Sequence, residues 1–216
     1  MASRRRHGEA LFISSQIART LRKMYWPEMS AIVPEDVFAM LNEANVPFIL
    51  MGTYGMTGWR DEPRASDDVD ILVRTRDLRK AVQAIQVSLP NFRVEDSAAV
   101  TMFHDPATER SLVEVRRPTQ PLFKLAFRQS LLVEEGYRIP NLEFALVSKF
   151  AMMKSPDRPY EKKFLDAADF ISMAEFNAAA IRPNRLQRFG DTIYPGGGEE
   201  LIRQMDNVIA GRRIEF

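Results

Sequence analysis

The run Asp68-Val69-Asp70-Ile71-Leu72-Val73 constrains this chain more than any other segment. Its apolar, β-branched flanks predict a strand inside a sheet, with Val69, Ile71 and Val73 on one face and Asp68, Asp70 and Leu72 on the other. Side chains two apart in a strand share a face at a separation of about 6.6–6.8 Å. Two carboxylates held that way repel each other and lose hydration, so an internal strand needs something positive to compensate them. A divalent cation is the simplest candidate, since paired ions in two-metal sites stand about 3.5–4 Å apart. The alternative is an exposed strand start where Asp67 and Asp68 cap a turn.

Composition narrows which cation that is. The chain has no cysteine and only His7 and His104, which excludes disulfides, thiolate zinc sites and multi-histidine centres. A metal would be held by oxygen, pointing to magnesium, manganese or calcium. Thirty basic against 29 acidic residues leave +1, so a strongly electrostatic partner is not the dominant theme. A local basic cleft would still be compatible with that total. The apolar run Val37–Leu41 is far short of the roughly 20 residues that span a bilayer. Arg4-Arg5-Arg6 has the look of a signal-peptide start, but Gly8-Glu9 and Ser14-Ser15-Gln16 break any apolar stretch behind it. The expectation is a cytoplasmic protein without membrane partners, its first residues disordered.

The pattern along the chain mixes helix and strand, which argues an α/β or α+β sheet with helices packed on it. Helices are expected over Ser15–Met24, from Pro34 onward, and from Asp77 with Leu78, Ala81, Val82, Ile85 and Leu89 inward. Strands are expected over Val46–Met51, Asp68–Arg74, Phe92–Glu95, Val100–His104 and Leu112–Arg116. From Asn141 the pattern turns helical, over Asn141–Lys154, Glu161–Ala174 and Glu199–Ala210, with Gly196–Gly198 as a linker. This divides the chain into residues 1–140, bearing the sheet, and a helical region 141–216.

Two further features join the aspartates. Met51-Gly52-Thr53-Tyr54-Gly55 follows an apolar strand, and a small-residue turn entering a helix can direct backbone N–H groups at phosphate; an ordinary strand–helix turn has the same pattern. Leu112-Val113-Glu114-Val115 is a second apolar strand interrupted by one acid. Glu114 is either a third carboxylate beside Asp68 and Asp70 or an outward-facing residue of a half-exposed strand.

In this order (apolar strand, Gly-Thr, short helix, Arg64-Ala65-Ser66-Asp67-Asp68-Val69-Asp70, later an acid in a strand) the chain resembles the DNA polymerase beta-type nucleotidyltransferase superfamily. Small bacterial nucleotidyltransferases of the abortive-infection and toxin–antitoxin groups, and aminoglycoside nucleotidyltransferase-like proteins, are nearest in style. The resemblance covers Val46–Val115, and more weakly Asn141–Phe170, where Lys149, Arg158, Lys162, Asp166 and Asp169 stand for a lysine helix and an Asp-x-x-Asp segment. It implies a mixed sheet flanked by helices, and transfer of a nucleoside monophosphate from an NTP to an acceptor hydroxyl with two Mg²⁺ (or Mn²⁺) ions. Asp68, Asp70 and Glu114 would be the metal and catalytic carboxylates, with Glu114 a ligand or the base. Gly52 and Thr53 would hold the nucleotide phosphates, while Arg64 and Ser66 brace the loop or contact phosphate. Thr53 stands where glycine or serine is usual, and Glu114 where aspartate is more frequent. The acceptor, whether protein, RNA or small molecule, is left open. So is an inactive, nucleotide- or protein-binding relative with a toxin or antitoxin partner.

Lys149 also stands out by position, since it falls inside the apolar stripe Leu142, Ala145, Leu146, Met153. It must be paired, line a cleft that binds the nucleotide, or reach the surface along its stem. Lys162, Asp166 and Asp169 lie opposite Phe164, Ala168 and Ile171 and read as a solvated or salt-bridged surface.

Overall fold

The computed structural model describes the backbone of residues 2–215 and the side chains of residues 6–215, so those of Arg4 and Arg5 lie outside the described residues. The chain divides into two compact units. The first comprises residues 1–58 and 62–140, the second residues 59–61 and 141–216.

The first unit is built on a seven-stranded mixed sheet: β1 (Phe48–Leu50), β2 (Val69–Val73), β3 (Arg93–Asp96), β4 (Val100–His104), β5 (Ser111–Arg116), β6 (Ser130–Leu132) and β7 (Arg138–Pro140). Their spatial order is β3-β4-β5-β2-β1-β7-β6. β2 is central, antiparallel to β1 and parallel to β5, with Asp70 in register with Glu114. Helices α1 (Ala2–Tyr25), α2 (Pro34–Glu43) and α4 (Leu78–Ser88) accompany the sheet, and the short α3 (Gly52–Met56) leaves β1 directly. One core joins Val37, Phe38 and Leu41 of α2 and Ala81 and Ile85 of α4 to Val69, Ile71, Val73, Val113 and Val115. Those strand residues all belong to one face. By alternation, Asp70, Glu114 and Arg116 belong to the other.

α1 begins at Ala2, which corrects the expectation of a disordered start and of a helix confined to Ser15–Met24. Its inward residues Leu11, Ser15, Ala18 and Arg22 recur at helical spacing and are all buried. Strands β6 and β7 and the four-residue α5 (Pro121–Lys124) were not legible, because three- and four-residue elements hold too few residues to show a period.

The second unit holds α6 (Leu142–Lys154), α7 (Tyr160–Phe176), α8 (Pro183–Gly190) and α9 (Gly197–Ile209). Asn141 caps α6, its side chain accepting from the Phe144 N–H at 2.9 Å. Rather than presenting one apolar stripe, α6 is buried on every side from Leu142 to Ala151. Gly197 and Gly198 are not a linker: they open α9 and are buried. A Cβ on Gly190 would fall 2.7 Å from the Gly198 Cα, so the meeting of α8 and α9 requires the missing side chain. Among the described residues no helix is long and apolar enough to cross a membrane.

Candidate active site

Parallel pairing of β2 with β5 sets Asp70 beside Glu114, and Asp68 enters the same strand two residues earlier. The three residues offer carboxylate oxygens that all lie within 4.8 Å of one another. Asp68, Asp70 and Glu114 therefore converge, and the reading of Glu114 as an outward-facing acid is excluded.

The crowding shows in the acidities. Burial, then the neighbouring Asp70, pushes the Asp68 carboxyl above its usual range. Glu114 is pushed up to about 7 by burial and by Asp70, with Arg116 opposing. A divalent cation would relieve the repulsion that adds to burial in both shifts, and three convergent oxygens suit a hard ion such as Mg²⁺ or Mn²⁺. The donor set thus fits the metal that the resemblance implies.

The Gly-Thr turn is on the same side. Gly52 has φ +58°, and a Cβ there would meet Asp70 Oδ2 at 2.1 Å. The N–H of Met51 donates to the Asp70 carbonyl at 2.8 Å, tying the end of β1 to the strand that carries the acids. Thr53 is buried in the first turn of α3.

The loop before β2 is strapped down. Ser66 Oγ donates to Asp68 Oδ1 at 2.7 Å, so this hydroxyl braces the carboxylate. Arg64 is half-buried in the same loop, Nη1 donating to the Ala65 carbonyl at 3.4 Å. The carbonyl of Ser66 accepts from Tyr54 Oη at 2.8 Å, and that of Asp67 from Arg22 Nη2 at 2.9 Å. Arg22 also donates to the Ile32 carbonyl. Asp67 pairs with Arg110 at 3.1 Å, and this guanidinium lies over the Trp26 ring.

Two of these residues were not anticipated from sequence. Arg22 was marked by the buried stripe of α1 at positions 11, 15, 18 and 22, where a charge has no place without partners. Arg116 follows Glu114 by two and so shares its face. Its Nε lies 2.7 Å from Asp70 Oδ1, and its Nη2 lies 2.5 Å from Glu114 Oε2.

Lys149 is buried in the second unit and ion-paired: Nζ lies 2.8 Å from Asp166 Oδ1 and 2.8 Å from Asp169 Oδ2. Arg158 holds Asp166 at 2.9 Å and Arg60 holds Asp169 at 2.6 Å. Asp166 and Asp169 are 1% exposed, while Phe164 and Leu165 are half in solvent. The inner face of α7 therefore carries Asp166 and Asp169 with Ala167, Phe170, Met173 and Ala174, the acids neutralised by Lys149, Arg158 and Arg60, and not the face of Phe164, Ala168 and Ile171; Lys162 lies on an exposed face as read.

No family model matches the sequence, and no curated protein matches it. Solved structures do. An antigenic nucleotidyltransferase-like protein from Paracoccidioides brasiliensis superposes with a TM-score of 0.52 at 16% identity, over 92% of this chain and 94% of that one. ANT(2")-Ia in complex with adenylyl-2"-tobramycin gives 0.48 at 11% identity, over 74% and 93%. The Megavirus polyadenylate synthase gives 0.45 at 11%, over 74% of this chain and 35% of its own. The fold assignment rests on the first of these. On that likeness the chain has a nucleotidyltransferase-like fold, a mixed sheet flanked by helices.

Proposed function

We propose that the protein is a metal-dependent nucleotidyltransferase. The observation that carries this reading is the convergence of Asp68, Asp70 and Glu114 within 4.8 Å beside the Gly52 turn. The acceptor oxygen attacks the α-phosphorus of an NTP, the bond from that phosphorus to the β-phosphate oxygen breaks, and pyrophosphate leaves with the electron pair. The hydroxyl proton passes to the Glu114 carboxylate, whose raised affinity for protons suits it to that role. Asp68 and Asp70 would hold Mg²⁺ or Mn²⁺, and the ion would supply charge stabilisation at the phosphoryl oxygens. Gly52 and Thr53 receive the triphosphate, and Ser66 and Arg64 keep the entering loop in place. Lys149 is buried and ion-paired to Asp166 and Asp169 within the second unit and is given no role toward the nucleotide. The acceptor is a hydroxyl of a protein, an RNA or a small molecule.

Asp68→Ala and Asp70→Ala should each abolish Mg²⁺-dependent NTP binding and transfer of an α-labelled nucleotide, with the circular dichroism spectrum retained. Nucleotide binding that survives in both variants refutes the reading. The Arg116 bridge favours one other reading, a non-catalytic nucleotide- or protein-binding role as part of a toxin–antitoxin pair. Incubation with α-labelled NTPs and cell lysate separates the two, because only an enzyme leaves label on a protein, RNA or small molecule.

A further inference from the structure

Arg116 is the feature of this site that neither the nucleotide nor the metal reading explains. Its guanidinium reaches both carboxylates at charge-assisted distance, 2.7 Å to Asp70 Oδ1 and 2.5 Å to Glu114 Oε2. The backbone fixes this placement: Arg116 follows Glu114 on the same face of β5 and stands in register with Leu72, two residues beyond Asp70. The bridge is thus built into the parallel pairing of β2 with β5. Asp70 and Glu114 are 13% and 15% exposed, so neither acid has water enough to balance its charge alone.

The oxygens of the site are divided between two sides. Arg116 takes Asp70 Oδ1 and Glu114 Oε2, while Asp70 Oδ2 faces Gly52, the turn assigned to phosphate. Asp68, with Ser66 on its Oδ1, completes that side. A second divalent ion against Glu114 would stand close to a guanidinium. Like charges about 4 Å apart repel by several kcal/mol outside bulk water, and more for a doubly charged partner.

We propose that Arg116 is a built-in cation that takes the place of a second metal, so that the protein itself binds one divalent ion, on Asp68 and Asp70. Glu114 is then left as a proton acceptor steadied by Arg116 and is not a ligand. This inference rests on the metal reading above, and it fixes the number of ions and the side of the site they occupy. Arg116 is a positioning residue here: it holds charge and geometry at Asp70 and Glu114.

The test counts Mn²⁺ bound to the full-length protein without nucleotide, by electron paramagnetic resonance with equilibrium dialysis. Wild type should bind one Mn²⁺ per chain, Arg116→Lys one, and Arg116→Gln two. Glu114→Gln should retain the single ion within about threefold in affinity, whereas Asp68→Asn should weaken it by about tenfold or more. Two ions on wild type, or still one on Arg116→Gln with a wild-type circular dichroism spectrum, overturns the proposal while leaving the metal reading intact. Loss of the ion in Glu114→Gln overturns it equally, and this arm decides the matter if Arg116→Gln does not fold. No Mn²⁺ on any variant or on wild type overturns the metal reading and this inference together.

Discussion

At the scale of single residues, Gly52 and Glu114 carry the sharpest consequences. Gly52 holds a left-handed backbone, and its missing Cβ leaves room for Asp70 Oδ2. Gly52→Ala should cost about 1–2 kcal/mol for the backbone alone, and more for the displaced carboxylate. A lower melting temperature together with weakened Mn²⁺ binding would bear this out; unchanged metal affinity would show the contact to be incidental. Glu114 gives a pH dependence with a definite sign. Its folded-state affinity for protons is raised, from 4.5 to about 7, so the folded chain binds more protons than the unfolded one in between. The stability it contributes is complete below about 4.5 and is lost as pH rises through about 7. Asp68, raised for the same reason, acts in the same direction. The metal-free protein should therefore melt at falling temperature between about pH 5 and about pH 8, and Glu114→Gln should flatten the curve. The carboxylates were legible from sequence because acids at alternate positions of an otherwise apolar strand must share one face. Arg116 and Arg22 were not, because an arginine near a strand end or in a mixed helix looks like ordinary surface charge until its partners, Asp70 and Asp67, are brought up in space.

At the scale of elements, α7 shows what periodicity leaves undetermined. Its inner face joins Asp166 and Asp169 to Ala167, Phe170, Met173 and Ala174, while Phe164, Leu165 and Ala168 are exposed. Periodicity gives the angle between faces; the choice of inner face depends also on Lys149 and Arg60, which lie outside the helix's own window, and on Arg158 just before it. Replacing Lys149 with Met would leave Asp166 and Asp169 short of a cation in a dry setting. A loss of about 3–5 kcal/mol in denaturant unfolding is expected. Phe164→Ser, on the exposed face of the same helix, should change stability by only about 0.5 kcal/mol. Equal effects in the two variants would contradict this assignment of faces. β2 and β5 were legible because five or six alternating residues suffice to mark a strand, whereas three residues in β6 and β7 do not.

At the scale of the whole molecule, the sequence indicated the fold class through its ordered motifs, yet it gave no strand order. That order, β5-β2-β1 in the middle of the sheet, is what turns three acids 46 residues apart at the extremes into neighbours. It arises from a parallel crossover, which requires the intervening α4, β3 and β4 to form and pack. Ligand linkage gives a global check: Mg²⁺ with an NTP at about 100 times its dissociation constant should add about 2.7 kcal/mol to the stability of the first unit. A melt unmoved by both together would count against the proposed function.

Residues 59–61 fold with residues 141–216. Trp59 offers its carbonyl to Asn177 Nδ2 at 2.6 Å, Asp61 its N–H to Ser172 Oγ at 3.4 Å, and Arg60 its guanidinium to Asp169. No single cut can therefore divide the polypeptide into its two bodies. A protease nick behind Pro140 leaves a larger fragment that still owns three residues of the smaller body, so the halves should travel together on gel filtration until denaturant is added. Modular exchange of the carboxy-terminal helices between proteins would likewise have to carry a tripeptide from the interior of the other half.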